Sequence, residues 1–100
     1  MPLDQSVEAI NQWYYSKCNG QWEHHEGIRL ESTDNPGWLA TVNSLQLDNA
    51  KLSLILGELL RDYEAQVSTD GYMVRVFAPD LANCLEALGL VMTKAERTKA

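Results

Sequence analysis

The chain is short of basic residues: eight Lys and Arg stand against fourteen Asp and Glu, for a net charge of −6. That shortage argues against nucleic acid or an anionic membrane as the main partner, because both call for a basic footprint. Cysteine is scarce as well. Cys18 and Cys84 are the two thiols in 100 residues, too few for a disulfide framework and typical of a reducing compartment. No apolar run approaches the roughly 18–20 residues that a membrane span needs. The longest cluster, Leu52 to Leu60, is broken by Ser53, Gly57 and Glu58. The opening MPLDQSVEAI has neither the basic segment nor the apolar run of a signal peptide. Together these absences give the expectation of a cytoplasmic protein. Repeats, low-complexity tracts and linkers are missing too, so residues 1–100 read as a single domain. Apolar residues make up 45%, enough for a core that needs no metal or disulfide.

Five segments carry secondary-structure signals. Asp4 to Cys18 reads as a helix, with Leu3, Val7, Ile10 and Tyr14 at three- and four-residue spacing and Trp13 and Cys18 widening the stripe. Asp4 is the expected N-cap, and Asn19-Gly20 the expected stop. Gly27 to Ser44 reads as a hairpin, since apolar and polar residues alternate on both sides of Asp34-Asn35-Pro36-Gly37. Pro36 followed by Gly37 predicts a type II turn, with Gly37 at positive φ. Asp48 to about Asp62 fits a helix capped by Asp48 or Asn49, with a short strand over Leu52–Leu56 as its rival. Asp70-Gly71 marks a second hairpin ahead of the strand Tyr72–Phe77, and residues 64–69 fit either its partner strand or an extension of the preceding helix. From Leu81 a helix carries Cys84, Leu85, Leu88 and Met92, with Gly89 as a candidate stop and a frayed tail over residues 93–100. The sum is an α+β domain: an antiparallel sheet of three or four strands with helices packed on one face.

The densest polar cluster is Trp22-Glu23-His24-His25-Glu26. Two imidazoles and two carboxylates suggest a metal or acid–base site. On an extended segment adjacent side chains point to opposite faces, so His24 and His25 would not converge on one ion. They also lack the four-residue spacing of a zinc-protease helix. A Cys18–histidine nucleophile pair has the wrong electrostatics, because a helix C-terminus disfavours a thiolate. Cys84 lies on the apolar stripe of the last helix and reads as a core residue. No phosphate loop, dinucleotide fingerprint or nucleophile elbow is present. Trp13, Trp22 and Trp38 remain. Each reads as a core anchor, or, for Trp22 and Trp38 beside acidic residues, as part of a protein-binding face.

The run Trp13-Tyr14-Tyr15-Ser16-Lys17-Cys18-Asn19-Gly20-Gln21-Trp22-Glu23-His24 resembles the opening of the immunity protein 53 family of bacteria. Gly27-Ile28-Arg29-Leu30-Glu31 and Thr33-Asp34-Asn35-Pro36-Gly37-Trp38 resemble its continuation. The likeness is close over residues 10 to 44. Later the chain departs: Thr69-Asp70-Gly71-Tyr72 stands where the family tends to have D-D-W, and Ala78-Pro79-Asp80 where it tends to have a Gly-Gly. The resemblance implies a non-enzymatic immunity protein of a polymorphic-toxin system, which binds a cognate toxin domain in the cytoplasm and occludes its active site. A basic, nuclease-like toxin would complement the acidic charge. The expected partner-binding residues are Trp22, Glu23, His24 and Glu26, with Glu31 and Asp34 as rim charges. No cofactor is expected, and monomer and homodimer both stay open. The rival readings are a small metal-dependent hydrolase built on Glu23, His24 and His25, and a small-ligand or oligomeric scaffold.

Overall fold

The structure, a computed structural model, describes residues 2–34, 36–43, 45, 50, 52–54, 56–57 and 64–97. Helix α1 spans Leu3–Lys17. A single helical turn, α2, covers Trp22–His25. Strands β1 (Ile28–Thr33) and β2 (Gly37–Asn43) form the first hairpin. Residues 50, 52–54, 56 and 57 are helical. The expected cap at Asp48 or Asn49 lies outside the described residues, as do Ile55, Leu59, Leu60 and Tyr63. Strands β3 (Gln66–Thr69) and β4 (Met73–Ala78) form the second hairpin, and helix α3 (Leu81–Arg97) closes the described chain.

The four strands make one antiparallel sheet in the order β1-β2-β4-β3. The α+β class follows. Residues 64–69 resolve in favour of a strand from Gln66, because Asp70 turns the chain back: its carboxylate accepts the Tyr72 and Met73 N–H at 3.0 and 2.7 Å, and Gly71 takes φ 95°.

Paired residues of an antiparallel ladder share a face. One face carries Ala40, Val42, Val74, Val76 and Ala78, all fully buried. Helix α3 lies across this face over β2 and β4, and α1 packs along α3. The inward stripe of α3 is Cys84, Ala87, Leu88, Val91, Met92 and Ala95. The small strand residues let the helix approach closely. Cys84 Sγ donates to the carbonyls of Val76 and Trp38 at 3.6 and 3.8 Å, and burial pushes its thiol pKa up. That places Cys84 in the core as an inert thiol.

Five expectations are corrected. Gly89 does not stop the last helix. A Cβ there would lie 2.9 Å from Ser6 Cα and Cβ, so the glycine is the point where α3 meets α1. The helix runs on to Arg97, with Ala95 buried and Thr93 Oγ1 donating to the Gly89 carbonyl at 2.8 Å, so the tail does not fray from residue 93. The N-cap of α1 is Pro2 rather than Asp4, which sits in the first turn. The inward face of α1 is also rotated from the expected stripe. Ser6 and Trp13 are buried, whereas Leu3 and Val7 are 41% and 48% exposed. Ser6 wins the inward position because only a small side chain fits against Gly89. Finally, Gly37 lacks positive φ and already pairs with Thr33 as the first residue of β2. Its missing side chain serves packing: a Cβ would lie 2.7 Å from Cζ of the Phe77 ring.

Candidate partner-binding surface

The connection between α1 and β1 is held by two side chains, Asn19 and Glu23, that accept hydrogen bonds from the backbone of the turn. Asn19 Oδ1 accepts the N–H groups of Gln21 and Trp22, both at 2.9 Å, and so supplies acceptors for the start of α2. Glu23 reaches back. One carboxylate oxygen accepts the Asn19 N–H and the other the Gly20 N–H, each at 2.9 Å. This is the reciprocal logic of a capping box. Gly20 at φ 92° and Gly27 at φ 71° bend the chain into and out of the turn. Hydrogen bonds from its own backbone N–H and that of Asn19, with Gly20 adding to them, hold the Glu23 carboxyl below its ordinary pKa.

Trp22 is the anchor of this connection. It is 7% exposed and meets Trp13 edge-on, with ring centroids 5.6 Å apart and planes at 76°. Tyr14 lies 5.8 Å away on another side. Lys17 Nζ sits 5.5 Å from the centroid of the Trp13 ring, a cation–π contact that ties the end of α1 to the same cluster. Among the described residues, neither indole N–H of Trp13 or Trp22 finds an acceptor. Trp22 therefore holds the loop from below. Of its two readings, core anchor or exposed binding face, the burial of Trp22 fits the first. Trp38 is half-buried against the core from β2.

The remaining expected contact residues do not form one patch. His24 is exposed on α2, and Glu26 is half-buried at its end. Both belong to the turn that Glu23 and Trp22 fix. Glu31 is exposed on β1, and Asp34 is exposed in the hairpin turn. Residues Ile28 and Thr33, the ends of β1, are about 17 Å apart along an extended strand. The structure thus brings Trp22, Glu23, His24 and Glu26 together and leaves Asp34 at the far end of β1. Against the expectation of an extended segment, residues Trp22–His25 form a helical turn, in which Asn19 Oδ1 accepts the Trp22 N–H at the start and the Glu26 N–H donates to the Trp22 carbonyl at the end. His24 and His25 are adjacent on that turn, about 100° apart around it, and still diverge. Among the described residues, no three His, Cys, Asp or Glu side chains converge as a metal-holding group. Both carboxylate oxygens of Glu23 are already engaged.

The sheet has a second face, which the sequence reading did not single out. Ladder pairing puts Arg29, Thr41, Arg75 and Ser68 in one row across all four strands. Glu31, Leu39, Phe77 and Gln66 form the next row. Leu39, Thr41 and Phe77 are half-buried, and Arg29, Glu31, Arg75, Gln66 and Ser68 are exposed. A shallow hollow of about 230 Å³ is lined by Leu39, Gln66, Ser68, Arg75 and Phe77. Burial alternates along Met73–Ala78, but Arg75 is the one polar side chain there, so the sequence shows little of it. What alternation cannot say is which face the helices will cover.

The sequence model of the family described as Immunity protein 53 matches residues 7–77. The chain belongs to the Immunity protein 53 family. The match takes in most of α1, the capped Asn19–Glu23 turn and the whole sheet up to Phe77. Helix α3 lies beyond the residues matched to Immunity protein 53, although it covers the sheet. No curated protein and no solved structure matches the chain. Among the described residues, no helix is long and apolar enough to cross a membrane.

Proposed function

We propose that this protein neutralises a cognate bacterial toxin domain of a polymorphic-toxin system by binding it and covering its active site, without catalysing a reaction itself. Membership of the Immunity protein 53 family carries this reading. The acidic excess supports a toxin with a basic cleft, such as a nuclease, because opposite charge speeds encounter and favours the docked orientation. The contact residues we assign are His24, Glu26, Glu31 and Asp34. Trp22 and Glu23 act one step back, fixing the turn that presents His24 and Glu26. The complex forms in the cytoplasm of the toxin-producing cell.

The test is co-expression with a candidate toxin domain, sought first in the genes beside this one. Cell survival together with a complex that co-purifies is the expected result. Toxicity that persists, with no complex, would overturn the reading. Charge reversal at Asp34 (D34K) is then expected to slow association with the toxin and leave the melting temperature unchanged. A large drop in melting temperature would instead make Asp34 a structural residue.

A further inference from the structure

Strand β1 is an edge of the sheet, with β2 on its inner side. Its residues Arg29 to Ser32 are all exposed, and Leu30, on the helix-covered side, is 45% exposed. The strand has six residues, no proline and no bulge, and pairs with β2 in unbroken register. Natural sheets guard such edges, because a row of unpaired N–H and C=O groups invites another strand. Here the guard is weak, and the side chains around Leu30 are arranged as charge opposites. Arg29 and Glu31 project from the same face, two residues apart, and among the described residues neither makes an ion pair.

We propose that β1 pairs with β1 of a second copy of this chain, antiparallel about a two-fold axis at Leu30. The register follows from self-complementarity. With Leu30 opposite Leu30 of the second copy, Arg29 faces Glu31 and Glu31 faces Arg29. Two cross-strand ion pairs then form on the open face, and the two exposed leucines meet on the helix-covered face. An antiparallel two-fold accepts either kind of residue pair at its centre, hydrogen-bonded or not. Shifting the register by one residue would place Arg29 and Glu31 opposite residues that carry no charge or an apolar side chain. Symmetry makes the contact isologous and closed, so it gives a dimer with one eight-stranded sheet rather than a fibre.

Pairing takes Glu31 into the contact between copies and reunites the rest of the divided contact surface. Within one chain, Glu26 and Asp34 lie at opposite ends of β1. Across the two-fold, Asp34 of one copy comes beside His24 and Glu26 of the other, twice per dimer. The like charges of Glu26 and Asp34 oppose pairing and keep the dimer weak until a basic surface docks there. This composite patch rests on the toxin reading; the strand pairing does not.

Sedimentation of the purified chain, from micromolar to several hundred micromolar, is expected to move from 11.3 kDa to twice that mass. R29E and E31R, each with an unchanged circular dichroism spectrum, are expected to stay monomeric, since each sets like charges opposite one another at two positions. Mixed in equal amounts, the two variants are expected to form a heterodimer, because every facing pair is then of opposite sign. A wild-type chain that stays monomeric throughout overturns the proposal. A dimer that R29E and E31R both retain overturns it too, since the contact then lies elsewhere. Loss of toxin co-purification by both variants, with the wild-type chain alone monomeric, would assign the edge to the toxin instead of a second copy. Failed rescue on co-expression would remove the toxin reading and the composite patch, while the sedimentation result would still decide the pairing.

Discussion

On the covered face of the sheet, Ala40, Val42, Val74, Val76 and Ala78 are fully buried; on the other face their immediate neighbours Leu39, Thr41, Arg75 and Phe77 meet solvent in part or in full. The two sets alternate along the same strands and answer to different demands. The covered face is small and aliphatic because α3 must lie within van der Waals reach of the backbone. No such demand shapes the open face, which mixes a guanidinium, a hydroxyl, an aromatic ring and a leucine. Packing explains the first set completely and the second hardly at all. Residues that packing leaves unexplained on a sheet face are where a partner is best sought.

Adjacent substitutions test the contrast most strongly. Val76→Asp would put an unpaired carboxylate under α3, at a cost of several kcal/mol against a total stability of roughly 5–15 kcal/mol. The expected outcome is a chain that no longer folds, seen as loss of the cooperative urea transition. Arg75→Ala, one residue away, is expected to stay within about 0.5 kcal/mol of wild type. Equal effects at the two positions would mean that both faces are covered.

The same inward–outward division holds in the loop. Trp22→Ala removes a buried ring stacked edge-on against Trp13 and should cost about 3–5 kcal/mol. His24→Ala should cost less than about 0.5 kcal/mol and act, if anywhere, on toxin binding. Chemical denaturation of both variants checks the pair. A His24 effect as large as that of Trp22 would put the imidazole in the fold rather than on the surface.

Two glycines extend the comparison to smaller effects. At position 89 a Cβ meets the Ser6 backbone and side chain at 2.9 Å, between two helices that must separate to admit it. Overpacking of this kind costs roughly 1–3 kcal/mol. At position 37 the nearest atoms, at 2.7 and 2.8 Å, belong to the tip of the Phe77 ring, which lies on the open face and can swing outward. The Ala78 carbonyl at 3.1 Å sets a lesser limit. Gly89→Ala is therefore expected to lower stability more than Gly37→Ala in matched thermal melts. The reverse order would show that the Phe77 ring is held as firmly as a helix backbone.

These cases also show what could be read before the fold was known. Alternation on both sides of Asp34–Gly37 announced the first hairpin, and Asp70-Gly71 with the β-prone run Tyr72–Phe77 announced the second turn and its outgoing strand, while residues 64–69 fitted strand or helix. The stripe in α3 was equally plain. Gly89 misled because a glycine near a helix end has two physical uses, a left-handed stop and a close crossing, and only the neighbour Ser6 distinguishes them. Leu3 and Val7 misled because spacing marks an apolar stripe without saying how the helix will roll against its partner. Trp22 and Glu23 carried a family signal that fitted binding or scaffolding equally well. The burial of Trp22 and the hydrogen bonds of Glu23 favour the scaffold. The row Arg29–Thr41–Arg75–Ser68 escaped notice because its members are far apart in sequence and meet through strand register alone.

The smallest effect belongs to Glu23, which sits on the surface yet acts on the fold. Its carboxylate pKa is depressed in the folded chain from an ordinary value of 4.5. A group of that kind stabilises the fold fully above its unfolded pKa, and the contribution disappears as pH falls through the lower, folded value. Glu23→Gln keeps the size of the side chain and removes the charge that two backbone N–H groups grip. Wild type is therefore expected to melt above the variant at neutral pH. The gap should narrow once pH drops below about 4 and close as the wild-type carboxyl takes up its proton. Melting curves of both proteins across that range decide the matter. A gap independent of pH would mean that the ionised state of Glu23 does not hold the Asn19–Gly20 turn. A closing gap would show that the ionised carboxylate of Glu23 helps hold the turn presenting His24 and Glu26.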